Sequence, residues 1–217
     1  MIEDLENLDK IARENLILAQ NEEKLLPDLK KFSIQQMKKS KSRESLVKNE
    51  LELADIREEY ARKSKEFLNK KEAVKKLLDL SEANLKYEEN QSIYNQKVAV
   101  AHRKIAGIHK QISEIEKSIA EERLKIYNIR FDKVKIRKSL GKKQLKYINQ
   151  VNKDAPEIKT SKLKEDFQSL QAKLNGLDEQ LGKKFADIST FQNKLAELKK
   201  QLSNAFSERE KIRSPLY

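Results

Sequence analysis

A seam of isoleucines runs through the second half of the chain. Ile105, Ile108, Ile112, Ile115 and Ile119 recur at alternating spacings of three and four. The frame continues through Ile126, Ile129, Ile136 and Leu140, broken only by Glu122 and Lys133. A helix carrying such a stripe cannot bury it alone and must pair with another helix. A second seam follows in Leu163, Phe167, Leu170, Leu174, Leu177, Leu181, Ile188, Phe191, Leu195, Leu198 and Leu202, ending on Ala205; its polar slot holds Lys184, beside Phe185. Between the two seams, residues 151–162 contain Asn152, Asp154 and Pro156, which punctuate a turn. The economical arrangement is an antiparallel hairpin that zips the seams together.

The first part of the chain is read from its few breakers. Pro27 starts a helix or kinks a longer one. Residues 38–45, KKSKSRES, carry no apolar side chain and end in a candidate N-cap, Ser45, so a joint is expected there. From residue 45 to residue 150 there is no proline and the only glycines are Gly107 and Gly141. The expectation is therefore a single elongated all-α domain over 1–217, with helices at about 2–37, 45–150 and 157–210 and joints at about 38–45 and 151–160. The middle helix is the longest, and residues 1–37 fold back along its early half. These three helices form an antiparallel coiled-coil bundle. Leu124, Tyr127, Phe131, Val134 and Leu145 lie opposite the isoleucine seam and ask for a second contact: a third helix, a dimer partner, or a membrane interface. Extended bundles hold little core per residue, so a homodimer is expected. In architecture alone, three antiparallel helices with a basic end resemble BAR-type membrane scaffolds; a plain hairpin coiled coil is the other form.

Composition agrees with long helices: charged residues make up 38% of the chain, with Gly 4, Pro 3 and no Trp. The net charge of +12 is unevenly spread. Residues 1–28 carry eight acids and three bases, whereas residues 123–146 carry ten bases and one acid, Asp132. A basic block implies an anionic partner. The candidate contacts are Arg123, Lys125, Arg130, Lys135, Lys138, Lys142, Lys143 and Lys146. Of these, Lys135, Lys138, Lys142 and Lys146 share one side of the helix, away from the seam. Arg130 and Arg137 flank the seam, where acids of the last helix could meet them. An anionic membrane, bound in BAR-like fashion, is the first expectation. The alternative is a coiled-coil assembly or tethering protein of the cytoskeleton or another multiprotein complex. Sequence-neutral binding to nucleic acid ranks last, because no helix-turn-helix, zinc finger or RNA-binding sheet is present.

Catalysis is not expected. There is no cysteine, and the two histidines, His102 and His109, sit two turns apart on one helical face. Gly176 with Gly182, Lys183 and Lys184 has the wrong spacing for a phosphate loop and no following Ser or Thr. No metal or cofactor is expected. MIEDLENLDK lacks a signal-peptide apolar core, and apolar runs reach only four residues, so the expected location is cytoplasmic, peripheral to a membrane on the first reading.

Overall fold

The computed structural model describes residues 2–73, 82–153 and 156–214. They form three long helices, with no strand among the described residues. These are α1 (Ile2–Ala73, 72 residues), α2 (Glu82–Val151, 70 residues) and α3 (Glu157–Glu210, 54 residues). The break between α2 and α3 falls where Asn152 and Pro156 stand; the third turn former, Asp154, lies outside the described residues. Lys159 N–H donates to the Pro156 carbonyl at 2.9 Å, closing the first turn of α3.

The joint expected at 38–45 is absent: α1 continues through it, and Ser45 is an exposed residue inside a helix. Nothing in KKSKSRES breaks a helix, since Lys, Arg and Glu are good helix formers. Moreover, Ser40 is 3% exposed, so the segment keeps the buried heptad position of α1 while its other residues face solvent. Pro27 also lies within α1, at an exposed position. The helix expected over 45–150 is accordingly divided between the end of α1 and the whole of α2. The residues between them, 74–81, lie outside the described residues. The middle helix is thus not the longest, and residues 1–37 pack against the late part of α2 instead of its early half.

The chain divides into two compact units. Unit 1 comprises Met1–Met37 with Ile119–Thr190, and unit 2 comprises Lys38–Ser118 with Phe191–Tyr217. Each contains a segment of all three helices.

In unit 1, α1 buries Ala12, Ala19, Leu26 and Ser33, one residue in every seven, and α2 buries Ala120, Val134, Gly141 and Ile148. Ala19 and Leu26 cluster with Val134 and the half-buried Tyr127. Beside this apolar row runs a polar one. Asn15 donates to Gln144 at 3.4 Å, Arg137 to Glu22 at 3.1 Å, and Arg123 to Gln36. A step of seven along α1 is matched by seven back along α2, so the two run antiparallel. Strict seven-residue spacing keeps one face of each helix on its partner. The other face of α2 meets α3, where Ile126 and Ile129 pack with Leu181 and Ile188, and Tyr147 meets Phe167 edge-on at 5.4 Å.

Unit 2 repeats the scheme. Ser40, Val47, Ala54, Ala61 and Leu68 of α1 are buried, as are Ser92, Ala99, Ala106 and Ser113 of α2. The polar row continues with the same step: Arg43 to Glu116, Glu50 with His109, Arg57 with His102, and Lys71 to Glu88. On the other face of α2, Ile105, Ile108, Ile112 and Ile115 cluster with Leu195, Leu198, Leu202 and Ala205. In each unit α2 therefore carries α1 on one face and α3 on the other. The second apolar face of α2 is thus explained in unit 1: Tyr127 and Val134 pack on α1.

Candidate anionic-surface site

The basic residues 123–146 all lie on α2 in unit 1, where both neighbouring helices supply acids. Several of the candidate cations are engaged by neighbouring side chains. Lys143 donates to Asp166 of α3 at 2.6 Å, and this hydrogen bond holds the Asp166 carboxyl below the usual carboxylate range against a smaller opposing effect of burial. Lys138 donates to Glu23 of α1. Lys125 donates to Glu122 at 2.7 Å. The Arg123 guanidinium lies 5.4 Å from the Phe32 ring centre, and that of Arg130 lies 5.9 Å from Phe185. Arg137 meets an acid, but one on α1 rather than on the last helix, Glu22.

The two interruptions of the isoleucine seam are also buried and paired. Lys133 donates to Asp178 of α3. Glu122 forms an ion pair with Lys184 at 2.9 Å, so the polar slot of one seam meets the polar slot of the other. Burial is the largest single influence on Glu122 and raises its pKa. Lys125 and Lys184, through contact and charge together, outweigh it and hold the carboxyl below its ordinary value. Buried ion pairs at two slots of a largely apolar seam favour a single register over a slip by one heptad.

What remains turned to solvent is smaller than the sequence suggested. Lys135, Lys142 and Lys146 are exposed on one side of α2, and Lys125 is exposed nearer its start. Lys135 stands 4.0 Å from Asp132 and over the Phe131 ring at 4.1 Å, while Lys142 and Lys146 make no ion pair with a described residue. Charge counted segment by segment hides the acids that neutralise the rest, because the acidic start and the basic block lie far apart in sequence. Their opposite signs are the available signal that they meet.

Neither histidine sits in a ligand cluster. His109 pairs with Glu50 at 2.6 Å and lies against Phe206, and Arg209 donates to His102 at 3.1 Å. Burial first, then Arg57 and Arg209, lowers the His102 pKa. Among the described residues no group of three or more His, Cys, Asp or Glu side chains is placed to hold a metal ion, and no helix is long and apolar enough to cross a membrane.

A different surface stands out on α1. Ile11, Leu18, Leu25 and Phe32 in unit 1 are exposed, as are Leu46, Leu53, Tyr60 and Phe67 in unit 2. They recur at seven-residue intervals, interrupted once by Lys39, each one place before a residue buried against α2. Phe67 is 66% exposed and Leu46 62% exposed. Single exposed apolar residues are ordinary on protein surfaces; a periodic row of eight is not.

No protein-family profile, curated protein or solved structure matches this chain.

Proposed function

We propose that this chain is a non-enzymatic scaffold, a three-helix antiparallel coiled-coil bundle that works by helix-to-helix assembly through α1. The observation that carries this reading is the apolar row from Ile11 to Phe67, which repeats every seven residues, the heptad step of coiled coils, and stays exposed. The titratable groups support it as well. Glu22, Glu122, Asp166 and Asp178 are spent on ion pairs between helices, an arrangement suited to holding helices in register rather than to acid–base chemistry in a cleft. On this reading the protein belongs to a cytoskeletal or other multiprotein assembly in the cytoplasm.

Sedimentation velocity on the full chain tests the proposal. Placing lysine at Leu25 and Leu53 is expected to shift the sedimenting species to the 25.4 kDa monomer while helix content stays unchanged, because both side chains point away from α2. Assembly that persists in Leu25→Lys/Leu53→Lys contradicts it.

A second reading, BAR-like attachment to an anionic membrane, is favoured by the solvent-facing row Lys135, Lys142 and Lys146. Each lysine near such a surface contributes on the order of 1 kcal/mol, screened by salt. On this reading, glutamate at all three positions removes co-sedimentation with phosphatidylserine vesicles at low salt. Pelleting that survives the triple change, or that is equal with neutral vesicles, contradicts it.

A further inference from the structure

The charges flanking the α1 row identify its occupant. In the places just before the apolar residues, unit 1 presents Lys10, Lys24 and Lys31, whereas unit 2 presents Glu52, Glu59 and Glu66. The two remaining places hold the uncharged Ile17 and Ser45. All six charged residues are exposed. Three places after the apolar residues the signs are reversed: Glu14 and Asp28 stand in unit 1, Lys63 and Lys70 in unit 2. The other places in that series, Asn21, Gln35, Asn49 and Ile56, carry no charge. The row in unit 1 is therefore complementary in charge to the row in unit 2, and each is similar in apolar content to the other.

We propose that a second copy of this chain covers the α1 row, with its α1 antiparallel to the first, so that unit 1 of each copy meets unit 2 of the other. This inference rests on α1 being an assembly surface and adds the partner and its orientation. In antiparallel pairs of helices, equivalent flanking positions face each other across the seam. A two-fold axis near Ser42 brings Lys24 opposite Glu59, Lys31 opposite Glu52, and Leu25 opposite Tyr60. An axis near Ser45 moves each pairing by one heptad and keeps the signs matched at those places. Parallel pairing makes none of these contacts, because each edge of α1 then faces the opposite edge of its partner and the complementary places stay apart. Lys24 and Lys31 make no ion pair with a described residue and are available. Glu52, Glu59 and Glu66 are engaged only in exposed pairs one turn away, with Lys48 at 3.9 Å, Lys63 at 2.7 Å and Arg62 at 2.8 Å, which compete weakly.

Two sets of full-length variants test this. In the first, Lys24→Glu/Lys31→Glu and Glu52→Lys/Glu59→Lys are each expected to weaken dimerisation at least tenfold. An equimolar mixture of the two should recover the wild-type mass, because the altered rows complement each other. In the second, the absence of native cysteine permits single reporters. Under mild oxidation Ser42→Cys or Ser45→Cys, near the axis, should give disulfide-linked dimer, and Asn21→Cys, far from it, should not. If Asn21→Cys links as readily as the central positions, the pairing is parallel and the inference fails, while assembly through α1 still stands. A dimer indifferent to the charge reversals and to Leu25→Lys/Leu53→Lys overturns both, and so does a wild-type chain that stays monomeric in a concentrated solution.

Discussion

Gly141→Ala is expected to destabilise the chain, although the same change at three other helical glycines is expected to stabilise it. A Cβ placed on Gly141 would lie 2.8 Å from the Ala12 carbonyl oxygen and 2.8 Å from Leu16 Cγ. The leucine can turn aside, but the backbone oxygen belongs to a helix packed along its length and can move only if α1 is pushed off α2. Overpacking of this kind costs about 1–3 kcal/mol. Against it stands a gain of up to about 1 kcal/mol from replacing glycine in a helix interior. The net expectation is a loss of about 1–2 kcal/mol. A Cβ on Gly107, Gly176 or Gly182 meets nothing within 4 Å. Alanine there should add about 0.5–1 kcal/mol each, the helix-propensity gain alone. Urea titrations of the four variants at one protein concentration read the contrast directly. A Gly141→Ala chain as stable as Gly107→Ala would mean that α1 and α2 do not approach this closely.

Glu22→Ala is expected to have the larger effect. Glu22 and Arg137 join α1 to α2 across 115 residues of sequence, and their side chains are only 17% and 18% exposed. The Arg137 Nε is buried with no hydrogen-bond partner among the described residues, so Glu22 is its chief compensation. Removing one member of a buried pair costs about 3–5 kcal/mol, because the survivor keeps a charge that water no longer solvates. Some water still reaches both ends here, which places the expectation near the lower edge, about 3 kcal/mol. Replacing both, as Glu22→Leu with Arg137→Met, should bring stability back to within about 1 kcal/mol of the wild type, since packed apolar residues can stand in for a buried pair. A loss below about 1 kcal/mol for Glu22→Ala would mean that the pair behaves as a surface one.

These two sites show what the sequence could and could not convey. Large apolar residues at alternating spacings of three and four are easy to read, so both faces of the α2–α3 contact were visible. The seam residues from Ile105 to Leu140 and from Leu163 to Leu202 are all buried or half-buried. The α1–α2 contact uses a different vocabulary. Ala12, Ala19, Ser33, Ser40, Ala54 and Ala61 are small or polar, and a search for large apolar residues passes over them. Their seven-residue spacing is nonetheless present in the chain. It carries α1 through KKSKSRES, because Ser40 occupies the slot between Ser33 and Val47.

The antiparallel course of α1 and α2 was not legible either, because residues 45–150 contain no proline to divide the long helix that the sequence suggests. The basic block was legible as charge but not as geometry. Lys138, Lys143 and Arg137 are neutralised by acids that lie 115, 23 and 115 residues away, and only the fold brings them together.

The mass of the unmodified chain in solution, followed by light scattering over a concentration series at physiological salt, tests assembly through α1 most directly. The account predicts a species of twice the 25.4 kDa chain mass at the upper concentrations, dissociating on dilution. A mass that remains at 25.4 kDa throughout would contradict it.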